Sequence, residues 1–152
     1  MKSNTHSTRR PDRLKALAAA VDGLAVEDLG RLTDAALAEQ VLELRRLLDR
    51  MEGVWLQQLA TVDGRGAAGA DQDQQVGSTA GWLRNRLRLG AGAASSAVRT
   101  ARALFRGPLV ETGQALTDGA ISAAHAQVLA AGTQDLPDQV TTEAEPVLVE
   151  AA

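Results

Sequence analysis

The chain lacks cysteine and tyrosine and has one phenylalanine and two tryptophans in 152 residues. Without cysteine there are no disulfides, no thiol catalysis and no cysteine zinc site. Two histidines, His6 and His125, are too few for a multi-histidine metal centre. Aromatics make up only 2% of the chain, which argues against a β-sandwich or barrel. No apolar run is long enough to cross a membrane. Near the start, Lys15 and Asp22 bracket too short an apolar core for a secretory signal, so the cytoplasm is the default expectation. What is abundant is alanine, with 29 residues, together with leucine. Both favour helix, and the length suits one domain with a core of its own.

The net charge of −3 conceals a sharp pattern. Residues 1–73 carry 10 basic and 12 acidic side chains. Residues 74–106 carry six arginines (84, 86, 88, 99, 102 and 106) and no acid. Residues 107–152 carry seven acids and neither lysine nor arginine. A +6 block therefore sits beside a −7 block.

Residues 1–10 read as a polar, disordered tail, followed by one helical domain over 11–152. Pro11-Asp12 opens a short helix with Leu14, Leu17 and Val21 on one face and Gly23 as its stop. Thr33-Asp34 then caps a long helix over about 34–62. Its positions Leu37, Val41, Leu44, Leu48, Met51, Trp55, Gln58 and Val62 alternate steps of four and three, a coiled-coil-like seam. Gly64, Gly66 and Gly69, followed by Asp71 to Gln75, read as a flexible loop over 63–77. Its Gly-Arg-Gly follows a helix and lacks a third glycine at dinucleotide spacing, so no nucleotide cofactor is expected. Asp71 and Asp73 read as solvated acids, and no metal site is expected.

A cluster of about five shorter helices fills 78–152. Ser78 caps the first, with Trp82, Leu83 and Leu87 on its apolar face. Leu89 to Gly92 makes a turn, and the next helix carries Ala94, Val98, Ala101 and Phe105. Together they have helix-turn-helix spacing. Arg88 stands in the turn where glycine is favoured, and Gly90 stands where a Ser or Thr cap is usual. Three further helices follow. The first, about 108–118, carries Leu109, Thr112 and Leu116 and stops at Gly119; the second is capped by Ser122 and carries His125, Val128 and Leu129. The last carries Val140, Ala144, Val147 and Leu148, with Pro146 kinking or delaying it. The chain ends in helix-forming residues without a stop signal, so truncation before a further domain is expected.

Arg99, Arg102 and Arg106 share one helix face at i, i+3 and i+7, offset from the apolar face. With Arg84 and Arg88 they form a candidate contact to double-stranded DNA, since guanidinium forks suit phosphates and guanine edges. Two other readings stand beside it. The arginines could neutralise the acidic 107–152 segment, and the Leu37–Val62 seam could mediate self-association without nucleic acid. His125, alone in an alanine-rich helix, reads as a packed residue rather than an acid/base, and no catalytic constellation is present.

Three stretches together resemble the domain of unknown function 222 family. They are Leu59 to Gly66, the block from Gly77-Ser78-Thr79-Ala80-Gly81-Trp82-Leu83 through Val98 to Leu104, and Ala115 to Leu129. The resemblance covers about residues 30–152. It implies an all-helical module, common in actinobacteria, that usually precedes an HNH endonuclease domain. The ββα unit, histidine base and metal ligands of such a nuclease have no counterpart in these residues, so the resemblance transfers no catalytic role. The expectation is an all-α, non-catalytic module that grips DNA through Arg84, Arg88, Arg99, Arg102 and Arg106, or else a helical dimerisation module.

Overall fold

The structure is a computed structural model that describes residues 12–70 and 77–152. The expected tail and the Asp71 to Gln75 stretch fall outside the described residues. Among the described residues there are seven α-helices and no strand. They are α1 (Asp12–Ala25), α2 (Asp34–Gly64), α3 (Thr79–Leu87), α4 (Ala91–Phe105), α5 (Val110–Asp118), α6 (Ala123–Gly132) and α7 (Asp138–Glu150). No described helix is long and apolar enough to cross a membrane. The chain divides into two compact units, residues 1–41 and 42–152.

In the first unit, α1 runs through Gly23 to Ala25 rather than stopping there. Gly23 is not in the left-handed conformation that ends helices, and a helical glycine costs only about 1 kcal/mol. No α1 residue is buried; Leu14, Leu17, Val21 and Leu24 are all exposed. Asp28 accepts from Gly30 N–H at 3.1 Å in a 3-10 turn over Leu29–Arg31, and Thr33 Oγ1 accepts from Ala36 N–H at 3.2 Å to start α2. Gln40 donates to the Glu27 carboxylate.

The second unit holds the core. Long α2 carries its helical phase to Gly64, two residues past the expected end, and a 3-10 turn over Ala67–Ala70 occupies part of the expected loop. The expected seam is not the buried face. Val41, Leu44, Leu48 and Met51 are 40–59% exposed, and Trp55 is half-buried against the core. The buried residues of α2 are Asp49, Gly53, Leu56, Leu59 and Ala60. Gly53 is required by close approach, because a Cβ there would lie 3.0 Å from both Leu116 Cγ and Thr117 Cγ2.

Helix α4 is the hub and packs on α3, α5 and α6, while α7 packs on α5. Its inward face, Ala94, Val98, Ala101 and Leu104, matches the expected one except that Leu104 replaces Phe105, which is half-buried. Alanine at the contact lets helices approach closely. At Gly113 a Cβ would come within 2.6 Å of Leu104 O, so α5 crosses the end of α4 backbone to backbone. Leu109, Thr112 and Leu116 are fully buried as expected, and Gly119 ends α5 with φ 79°.

Two more expected faces are wrong in part, although Leu129, Ala144 and Leu148 are half-buried as expected of them. In α6 the buried residues are Ala126 and Ala130, while His125 and Val128 are exposed. His125 is therefore not a packed residue. Its N–H donates to the capping Ser122 Oγ at 3.2 Å, and its Nδ1 lies 3.1 Å from that same oxygen. In α7 the buried residues are polar, Thr141 and Glu145, while Val140 and Val147 are exposed. Helix α7 starts at Asp138 and continues four residues past Pro146. The inversion has a cause. Helix α5 begins after Leu109, which has no capping oxygen. One Glu145 oxygen accepts both Thr112 N–H at 2.7 Å and Thr112 Oγ1–H at 2.8 Å. It thereby satisfies an orphan first-turn donor from another helix.

Glu145→Ala should lower unfolding free energy by about 1–3 kcal/mol, because it leaves a buried N–H unpaired. Glu145→Gln keeps an acceptor and should cost less. Urea unfolding of both variants checks the order.

Candidate nucleic-acid interface

The expected α3–α4 pair forms and its helices pack together, but the turn is shorter than expected, since Ala91 and Gly92 already belong to α4. Ser78 Oγ accepts from Gly81 N–H at 3.1 Å and caps α3. Arg88 ends α3 in the left-handed region at φ 55°, the only non-glycine residue with positive φ among the described ones. Gly90 caps α4 without a side-chain bond. The chain thus reverses between two helices on an arginine where glycine would be unstrained.

The five expected site residues separate into two groups. Arg102 and Arg106 converge on Asp63 at the end of α2. Arg102 donates through Nε at 2.7 Å and through its second amino group at 2.8 Å, a bidentate fork. Arg106 reaches the same carboxylate at 3.4 Å, lying over Gly64, where a Cβ would come within 2.9 Å of its guanidinium carbon. The Asp63 side chain is 7% exposed, while those of Arg102 and Arg106 are half exposed. Asp63 has its pKa held down at about 2, first by the Arg102 hydrogen bonds, against the opposing effect of burial, and further by the Thr79 side chain and both arginine charges. Thr79 is the first residue of α3. One carboxylate therefore joins α2, α3 and α4. The partner of Arg102 and Arg106 comes from the long helix, not from the acidic 107–152 segment.

Arg84, Arg88 and Arg99 are exposed and make no ion pair among the described residues. Arg84 and Arg88 stand one turn apart at the end of α3. Arg99 lines a cavity of about 290 Å³ between α4 and α6, with Ser96, Thr100, Arg102, Gln127 and Gln134 among its walls. Nothing in the geometry joins Arg84 and Arg88 to this rim.

A second carboxylate acts about four turns earlier in α2. Asp49, 8% exposed, accepts from Ala123 N–H at 3.0 Å at the start of α6 and from Arg45 at 2.7 and 3.1 Å. The Arg45 hydrogen bonds pull its pKa below the ordinary carboxylate value, against burial and with help from the Ala123 N–H. Burial pushes nearby Glu52 the other way. Sequence reading missed Asp49, Asp63 and Glu145. The first two carry a legible signal, since 49, 53, 56, 60 and 63 repeat steps of four and three in parallel with the apolar seam. Among the described residues no group of acids and histidines is arranged to hold a metal ion.

A family model described as Domain of unknown function (DUF222) matches residues 34–148, from the first residue of α2 into α7, and the chain belongs to that family. No curated protein and no solved structure matches the chain.

The depressed Asp63 pKa sets a sign for pH. A carboxylate with a folded pKa below its unfolded value adds stability above the unfolded pKa, and that stability is lost as pH falls through the folded one. Parent and Asp63→Asn should therefore differ most at neutral pH and converge as pH falls from the ordinary carboxylate range toward about 2. Because Arg102 is half exposed, the neutral-pH difference should be on the order of 1 kcal/mol. Chemical unfolding across that pH range measures it.

Proposed function

We propose that this member of the domain of unknown function 222 family is a non-catalytic helical module. It contacts nucleic-acid phosphates through Arg84, Arg88 and Arg99, while Arg102 and Arg106 hold the helix pair in place. One observation carries the reading. The segment 74–106 has six arginines and no acid, yet Asp63 occupies only two of them. Of the other four, Arg86 is engaged elsewhere, and the exposed guanidinium groups of Arg84, Arg88 and Arg99 have no ion pair among the described residues. Guanidinium is weakly hydrated and presents donors in a fork that fits phosphate oxygens, so such groups suit a polyanion. The Arg99 rim also offers Ser96 and Gln127 as neutral donors beside the charge. In this role the module would position DNA for the HNH nuclease domain that the family resemblance implies, in the cytoplasm.

Duplex DNA should bind in low salt and release as salt rises. Three phosphate contacts give a slope of about −3 in log affinity against log salt. Each of Arg84→Gln, Arg88→Gln and Arg99→Gln should flatten that slope by about one. Fluorescence anisotropy at several salt concentrations tests this; no binding in low salt, where the electrostatic attraction is strongest, contradicts the reading.

Arg88→Gly separates binding from folding. It should raise stability by about 1 kcal/mol, because glycine adopts the left-handed conformation without strain, while still weakening DNA. A thermal melt and an anisotropy titration on the same sample show both effects.

A further inference from the structure

The open face of α2 is the largest feature that the nucleic-acid reading leaves unused. Leu44, Leu47, Leu48, Met51 and Val54 lie along one side of the helix and are each 40–45% exposed. Their neighbours on the opposite side, Asp49, Gly53 and Leu56, are buried in the core, so the helix is fixed with this stripe outward. Single exposed leucines are ordinary, but five at heptad-like spacing form a contiguous apolar surface of the kind that marks an interface.

We propose that this face binds a second copy of the chain, with the two α2 helices antiparallel about a two-fold axis halfway between residues 43 and 50. The stripe suits its own copy. A two-fold contact presents the same patch on both sides, so each apolar residue must find an apolar partner when the helix is read backwards. About this axis Leu44 meets Leu48 of the copy, Leu47 lies close to its own counterpart and Met51 comes level with the exposed Val41, while Val54 lies beyond the paired apolar stretch.

Charge chooses the direction. Glu43 and Arg50 border the stripe on one edge, one turn before Leu47 and one turn before Val54. Both are exposed; Glu43 has only a loose 3.5 Å contact with Arg46, and Arg50 donates one Nε–H to Thr117 O, keeping its other donors. Antiparallel pairing sets Glu43 across from Arg50 of the copy, twice. Parallel pairing in register puts Glu43 and Arg50 on flanks that face Leu48 and Trp55 of the copy, so neither charge finds a partner. The pairing uses neither Arg84, Arg88 nor Arg99, so it stands or falls independently of DNA contact.

The absence of cysteine makes the test clean, because a single introduced cysteine reports only its own position. Sedimentation velocity of the full chain across the micromolar range should show a dimer. Leu44→Asp, on the surface, should give a folded monomer by circular dichroism. Under mild oxidation Leu47→Cys should form a disulfide-linked dimer. Val54→Cys should not, since its two copies would stand about 22 Å apart, beyond disulfide reach. Glu43→Arg should weaken the dimer, and Glu43→Arg with Arg50→Glu should restore it.

A monomeric parent overturns the proposal. That outcome includes the case where the apolar face of α1 or a foreign protein covers the stripe instead. Val54→Cys cross-linking as readily as Leu47→Cys overturns the antiparallel arrangement.

Discussion

The Asp63 carboxylate is the constraint from which the rest of the site follows. It ends the buried face of α2, accepts a bidentate fork from Arg102 and a longer contact from Arg106, and engages Thr79 at the start of α3. A shielded carboxylate pinned by two half-exposed guanidinium groups fixes how α4 lies against α2. It also divides the basic segment. Two arginines become part of the scaffold, while Arg84, Arg88 and Arg99 stay exposed without an ion pair among the described residues. The net charge of −3 says nothing of this division, because the division depends on which acid reaches which arginine in space.

The same device recurs. Asp49 from α2 meets the first N–H of α6, and Glu145 from α7 meets the first turn of α5. Helix starts collect unpaired N–H groups and partial positive charge, so a carboxylate from a neighbouring helix both satisfies them and locks the crossing. With a core made largely of alanine and leucine and with few aromatics, large side chains interlock little. Polar clamps at helix ends supply orientation that shape alone would not.

Much of the fold was legible in the sequence. Thr33, Ser78, Gly119 and Ser122 mark boundaries by local chemistry, and the structure places caps or stops at each. The left-handed Arg88 turn was legible for the same reason. The inward faces of α2, α6 and α7 were not. In α2 two registers of steps four and three run side by side. Apolarity favours 37–62, while the buried register is the one that begins and ends in carboxylates and contains a glycine. Burial there was set by partners distant in sequence: Leu116 and Thr117 against Gly53, Ala123 against Asp49, Arg102 against Asp63. In α7, Glu145 is buried because α5 lacks a capping residue of its own, which no local pattern in α7 reveals. The arginine face was legible as a face; its partition was not, because Asp63 lies 39 residues from Arg102.

The partition of the arginines is most directly tested by their reactivity. Phenylglyoxal attacks accessible, unpaired guanidinium groups, and mass spectrometry locates the adducts. Arg84, Arg88 and Arg99 should react fast and be protected by duplex DNA in low salt. Arg102 should react slowly in the parent and fast in Asp63→Asn. Modification of Arg102 as rapid as that of Arg99 in the parent would contradict the account.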